Sequence, residues 1–274
     1  MFDIKIRLIS MLGLLTVIVL SGLILEYRKM LRGPVRMGLG MALLGIAVGV
    51  FLTLCAVVPD NNVFGRVFVA SETSRKVVAL TFDDGPYSPY TEQILDILKE
   101  YNTPATFFIV GQNAEKNPEL VRRIARDGHQ LGNHTYHHVD LLKTDSKTIA
   151  EEIDRTSKVL LTITGTMPHV VRPPHGFRDP VVMDIMAERG LKVVEWSVMS
   201  KDWTNPGVEV IVERTIKKAK NGSIILLHDG DGIASKAPRL QSAEATRRII
   251  QTLQAQGYEF VTVDEILAKT EENK

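Results

Sequence analysis

The sequence of 274 residues holds one cysteine, Cys55, so it has no intrachain disulfide and no thiolate metal site; a metal here must be held by His, Asp or Glu. It also lacks a charge imbalance. With 33 basic against 32 acidic residues it offers no electrostatic footprint for nucleic acid. No fixed-period repeat and no low-complexity tract breaks the chain, and nothing in it sets an oligomeric state. Two long stretches, 8–25 and 37–58, lack charge altogether.

Each of these runs is long enough to cross a hydrocarbon core as a helix. The loop between them carries Arg28, Lys29, Arg32 and Arg36, whereas only Lys5 and Arg7 precede the first run and Arg66 follows the second. The positive-inside bias therefore places the loop in the cytoplasm and both ends, with everything after residue 66, outside the cell membrane. Gly45 and Gly49 have a spacing that suits close helix approach, or are ordinary small residues of a membrane helix. A cleavable signal peptide is the competing reading of the first run, but no small-x-small site precedes the basic loop. The expected organisation is a two-span anchor with a short linker over 1–66 and a soluble domain over 67–274.

From about residue 74 the chain alternates apolar strand-like runs with amphipathic helical stretches. Strands are expected near 77–82, 105–110, 130–133, 169–172, 191–196, 223–227 and 259–263, and helices near 90–101, 114–127, 146–164, 179–189, 208–220 and 238–256. This is a parallel α/β architecture, and both an open doubly wound sheet and a closed barrel fit it.

The polar clusters fall just past expected strands. Asp83 and Asp84 follow the first, before a Gly85-Pro86 turn; adjacent carboxylates there mark either a simple turn or a site where a cation or an Arg offsets crowded negative charge. His134 and His138 follow the third at a spacing that places both imidazoles on one face if the segment turns helically, which suits a divalent metal, with Asp84 as an oxygen ligand. His137 then points elsewhere, to the surface or behind the ligands. Arg172-Pro173-Pro174-His175-Gly176 follows the fourth strand and is either a rigid turn with a surface Arg or the source of a cation beside Asp83. Asp202-Trp203 follows the fifth, and His228-Asp229 ends the sixth, where His228 is either a core-edge residue or a catalytic acid tuned by a carboxylate. In parallel α/β folds, sites are built at that end of the strands.

Five motifs in this order resemble the NodB-type polysaccharide deacetylases, carbohydrate esterase family 4: Thr81-Phe82-Asp83-Asp84-Gly85-Pro86, His134-Thr135-x-x-His138, Arg172-Pro173-Pro174-x-Gly176, Asp202-Trp203 and Leu226-Leu227-His228-Asp229. The resemblance covers about 76–263. It implies a distorted (β/α)7-type barrel and metal-dependent hydrolysis of N-acetyl groups on polymeric amino sugars. It implies that Asp84, His134 and His138 bind a divalent ion, most often zinc (cobalt or another ion would also serve). Asp83 would be the general base, oriented by Arg172, and His228 the general acid, paired with Asp202. Trp203 and Leu226 would line the pocket for the acetyl methyl, and a backbone N–H of the 173–176 loop would meet the oxyanion. Two positions depart from the family pattern: His175, at a position the resemblance gives to substrate binding, stands where the family usually has Tyr, and Met199 where the fourth motif usually opens with Asp. The expected protein is a membrane-anchored deacetylase acting on peptidoglycan or another surface glycan. Alternatives are an amide hydrolase on a lipid-linked sugar and a non-catalytic glycan-binding protein on the same fold.

Overall fold

The computed structural model describes residues 33–271 except 235 and 237, together with the isolated positions 19 and 22. The chain divides into two compact units, Met1–Val58 and Pro59–Lys274.

In the first unit, α1 (Gly33–Val57) contains the 21-residue apolar stretch Met37–Val57. At about 1.5 Å per residue that stretch is roughly as long as a hydrocarbon core is thick. Its large apolar side chains are not gathered on a buried face. Met37, Met41, Leu44, Val48, Phe51 and Leu52 are all exposed, unlike those of a soluble core helix. This is one helix of a length and composition that would cross a membrane. The first expected span, 8–25, lies outside the described residues apart from positions 19 and 22.

The second unit is a curved parallel sheet with helical crossovers. Its elements are β1 (Val67–Phe68), β2 (Val77–Asp83), α2 (Tyr90–Glu100), β3 (Thr106–Ile109), α3 (Gly111–Lys116), α4 (Pro118–Arg126), β4 (Gln130–Asn133), α5 (Ser146–Thr164), β5 (Val170–Val171), α6 (Pro180–Glu188), β6 (Lys192–Val194), β7 (Val198–Met199), α7 (Val208–Ile216), β8 (Ser223–His228), α8 (Leu240–Ala255), β9 (Glu259–Val261) and α9 (Val263–Glu271). The strand order is β1-β6-β5-β4-β3-β2-β8-β7, with β9 on β2. One stretch of chain holds the two ends of this path together: β6 pairs with β5, and after three intervening residues β7 pairs with β8. The architecture is thus barrel-like, closed through a strand broken at 195–197 rather than through a regular ring.

β2 is the axis of this arrangement. All seven of its residues are buried, as the apolar run requires of a parallel strand covered on both faces. Side chains alternate. Val78, Leu80 and Phe82 face outward with Ile225 and Leu227, into a core that includes Ile94, Leu95 and Leu98 of α2 and Ile249, Ile250 and Leu253 of α8. Val77 and Ala79 face inward with Phe108, Val170, Val194, Ile224 and Val261. Parity then directs Thr81 and Asp83 of β2, and Leu226 and His228 of β8, to the interior side.

The helix expected over 114–127 is two helices, because Pro118 has no N–H to continue the first and instead starts the second. The helix α9 and the two-residue strands β1 and β7 were not expected from the sequence.

Candidate active site

The register of the sheet assembles the polar clusters. Asp83 lies abreast of His228 across the β2–β8 pairing, and Asn133 abreast of Val171 across β4–β5, which sets His134 beside Arg172. Asp83, Asp84, His134, Arg172 and His228 thus share the carboxyl-terminal end of the strands.

His134 and His138 converge on Asp84, though not through a helical turn as the spacing suggested. Residues 134–138 form an irregular loop in which Thr135 (φ 63°) and His138 (φ 56°) are left-handed. Asp84 is left-handed too, at φ 79°. Such strained residues persist only where surrounding structure fixes them. Here the fix includes Glu152 of α5, whose buried carboxylate accepts hydrogen bonds from the Tyr136 and His137 amides (3.0 and 2.7 Å) and sits 2.6 Å from His137 Nδ1. His137 is therefore partly exposed and held behind the loop. The side chain of Asn113 donates to the Asp84 carbonyl (2.9 Å) and so fixes the other partner.

His134 Nε2 lies 3.3 Å and His138 Nε2 3.0 Å from Asp84 Oδ1. His134 Nδ1 is 2.6 Å from the Arg172 carbonyl. A carbonyl only accepts, so Nδ1 carries the proton and the lone pair of Nε2 is aimed at Asp84. Asp84 Oδ1 itself is buried with no hydrogen-bond partner. Two nitrogens and an orphaned carboxylate oxygen, all within 4.8 Å of one another, are the donor set a divalent cation requires. Burial alone would raise the Asp84 pKa, but the charge of His138 and the contacts of both imidazoles hold it well below the usual carboxylate range.

Arg172 is fully buried and spends every nitrogen. Nη1 donates to Asp83 Oδ1 (2.6 Å) and Thr81 Oγ1 (2.9 Å), Nε to the Val194 carbonyl and Nη2 to the Glu195 carbonyl. Its guanidinium carbon lies 4.0 Å from the centroid of the Phe108 ring. It offsets the charge of Asp83 within a desolvated pair. Arg172→Ala leaves that carboxylate buried and alone, so a loss of about 3–5 kcal/mol in stability is expected, read as a lowered thermal unfolding midpoint of the detergent-solubilised chain.

On the other side of Asp83, His228 Nδ1 is 2.9 Å from Asp202 Oδ1, and the His228 amide donates to Asp202 Oδ2 (2.8 Å). Ser242 and Ser200 donate to the same carboxylate at 2.7 and 3.0 Å. Burial would lower the His228 pKa, but the charge and hydrogen bond of Asp202, with Asp84 and Asp83 beyond, push it up to about 9. Since Nδ1 is engaged by Asp202, Nε2 holds the transferable proton. The Trp203 ring meets the His228 ring edge-on at 5.1 Å, and Leu226 lies on the His228 face of β8 in register with Met199.

His175 is exposed, with its ring 5.0 Å from that of His138, and its backbone is left-handed at φ 62°. Of the residues 173–176, both prolines lack an N–H and the Gly176 amide donates to the Pro173 carbonyl. The His175 amide is the one backbone donor of the loop left for a ligand.

Several contributors escaped the sequence reading. Ser200 and Ser242 carry no pattern that marks them. Glu152 does leave a trace, as an acid within the buried stripe Ile149, Glu152, Ile153, Thr156 of α5. Asp229 is marked in the sequence only as the last residue of the fifth motif; it accepts from Thr91 (2.6 Å), and burial pushes its carboxyl up to about 7. Glu195 is fully buried with no hydrogen bond to its carboxyl, and burial pushes it up to about 8.

The family model described as "Polysaccharide deacetylase" matches residues 70–194. Among curated proteins, a peptidoglycan-N-acetylglucosamine deacetylase of Bacillus cereus is 39% identical over 196 residues, covering 71% of this chain and 89% of that protein. A chitooligosaccharide deacetylase of Sinorhizobium fredii is 35% identical over 199 residues, covering 70% and 93%. Among solved structures, a peptidoglycan N-acetylglucosamine deacetylase superposes with a TM-score of 0.70 at 36% identity, covering 73% of this chain and 92% of that one. A carbohydrate esterase family pseudoenzyme of Bacillus anthracis also superposes, with a TM-score of 0.67 at 28% identity, covering 74% and 69%.

Proposed function

We propose, from the premise that this chain belongs to the polysaccharide deacetylase family, that it is a membrane-anchored hydrolase removing N-acetyl groups from amino sugars of peptidoglycan or another surface glycan. The observation that carries the reading is the convergence of His134 Nε2, His138 Nε2 and Asp84 Oδ1 between two independently supported groups, Asp83 with Arg172 and His228 with Asp202. The neighbour described as a pseudoenzyme is a reminder that the fold alone does not bring activity. What separates catalysis from glycan binding is this complete set of residues.

Asp84, His134 and His138 would hold a divalent ion, zinc being the natural choice for two imidazoles and a carboxylate. Bound there, the ion supplies Lewis acidity toward the amide carbonyl and toward water. Asp83, oriented by Arg172, takes the proton of the attacking water. The His175 amide donates to the oxyanion as it forms, which suits that position to a residue other than Tyr because the backbone does the work. His228 gives its Nε2 proton to the departing amine, a poor leaving group without it. Trp203 and Leu226 close the space beside His228 against the acetyl methyl.

The anchor would be the two spans, 8–25 and 37–58, with the basic loop in the cytoplasm and the catalytic domain outside. A substrate in the cell wall agrees with that placement. The test uses the full chain in detergent, incubated with peptidoglycan, chitooligosaccharides and N-acetylglucosamine polymers, with zinc, with cobalt and with a chelator. Acetate release that disappears with the chelator and returns with metal is expected. No release from any of the three under any condition would overturn this reading and leave the lipid-linked-sugar hydrolase and the glycan-binding role.

A further inference from the structure

The site loop 173–176 carries two consecutive left-handed residues, His175 (φ 62°) and Gly176 (φ 73°), and the first is not glycine. A side chain in that region costs on the order of 1 kcal/mol or more, and surrounding contacts must hold it there. One of those contacts is Arg178, two residues on. Its guanidinium is buried and donates Nη1 to the Gly176 carbonyl at 2.9 Å. Nη2 of the same group donates to the carbonyls of Pro59 (3.0 Å) and Asn61 (2.7 Å). These belong to the segment that begins two residues after α1 ends at Val57. The Glu195 carboxylate stands 3.8 Å from Nη1 and accepts no hydrogen bond, so the bonds that tie Arg178 to Gly176, Pro59 and Asn61 all go to backbone carbonyls. From the other side the Glu195 carboxyl limits the loop: a Cβ on Gly176 would come within 2.8 Å of Oε2.

We infer that Arg178 is a positioning residue for the oxyanion-donating loop, and that it works by clamping the Gly176 carbonyl to the segment 59–61. The stretch joining the apolar helix to the catalytic unit is then part of the site's support and not a passive tether. A planar fork suits this task, since it delivers parallel donors to several acceptors at once, whereas an ammonium reaches them only singly. The inference rests on the deacetylase reading given above, because the loop matters through the His175 amide.

The test compares the full chain with Arg178→Lys in detergent, which keeps the charge and loses the fork. The kcat for acetate release is expected to fall at least tenfold, with KM within twofold and the bound divalent ion still at one per chain. Hydrogen exchange in peptides covering 174–178 and 59–63 should quicken together. Asn62→Ala is the second variant. It removes the 2.7 Å bond that the Val67 amide donates to Asn62 Oδ1 in the connecting segment and touches no residue of the site. A kcat drop of threefold or more is expected from it, again without loss of the ion. If wild-type protein releases acetate and Arg178→Lys retains kcat within twofold, the inference is overturned; should that variant not fold, an unchanged kcat in Asn62→Ala overturns it. Wild-type protein that releases no acetate fails the deacetylase reading instead, so the two failures are distinct.

Discussion

Chains carrying His134→Ala or Asp84→Ala are expected to be purified without their divalent ion and to release acetate at least ~10³-fold more slowly than wild type, since Lewis-acid assistance contributes several kcal/mol and about 1.4 kcal/mol is tenfold in rate. The reason is the crowding of lone pairs at one point. His134 has its proton on the side of the Arg172 carbonyl, and Asp84 Oδ1 has no donor of its own. Removing either leaves a donor set too small to hold the ion. Neither side chain supports the hydrophobic core, so loss of the ion and loss of the fold are separable: metal content by mass spectrometry should fall to zero while the circular dichroism spectrum is kept. Retention of one ion per chain in both variants would dismiss these three residues as its ligands.

The second large effect concerns the proton donor. His228→Ala is expected to lower kcat by about 10²–10⁴-fold, the range for general acid catalysis, with the ion retained. Asp202→Asn tests the cause. His228 must be protonated to act, and its pKa stands at about 9, raised by Asp202 against the opposing effect of burial. Activity dependent on it is present at lower pH and is lost as pH rises through that value. Replacing the Asp202 charge removes the largest raising influence, so the alkaline limb of kcat/KM should move downward relative to wild type. A cation held by Asp84, His134 and His138 would lower the limb in both proteins and leave the direction of the difference unchanged. The same shift has a stability consequence. A histidine whose folded pKa lies above its unfolded value of about 6.5 stabilises the fold fully below that value, and the contribution is lost as pH rises toward 9. An alkaline limb that stays in place in Asp202→Asn would assign the pH dependence to another group.

Much of the domain was legible because its long elements declare themselves. β2 reads as an uninterrupted apolar run, and α5 was expected with the bounds it has, between its Asp145 cap and Gly165. The two-residue strands β1 and β7 carry no such pattern; their pairing with β6 and β8 defines them, and partners are not written locally. The motifs do lie at the carboxyl-terminal ends of strands, yet the helical turn expected for 134–138 is a loop with two left-handed residues. A spacing of four fits both, and the contact with Glu152, on α5 15 to 16 residues on, shows what holds the loop. The same holds for Ser242, whose bond to Asp202 spans 40 positions. The supports of a site are long-range, and that is why the candidate ligands stand out in the sequence and their scaffolding does not.

β2 has partners along both edges: β8 on one, and β9 and β3 sharing the other. Val78 pairs with Ser223 and Val77 with Glu259, so this strand waits for residues far downstream. During synthesis it has only β3 within reach, and its remaining backbone donors and acceptors stay open until almost the whole polypeptide has emerged. The two carboxylates at its tip are therefore among the first residues of the domain to be made, yet their surroundings are completed only once β8 brings His228 alongside, some 145 residues later.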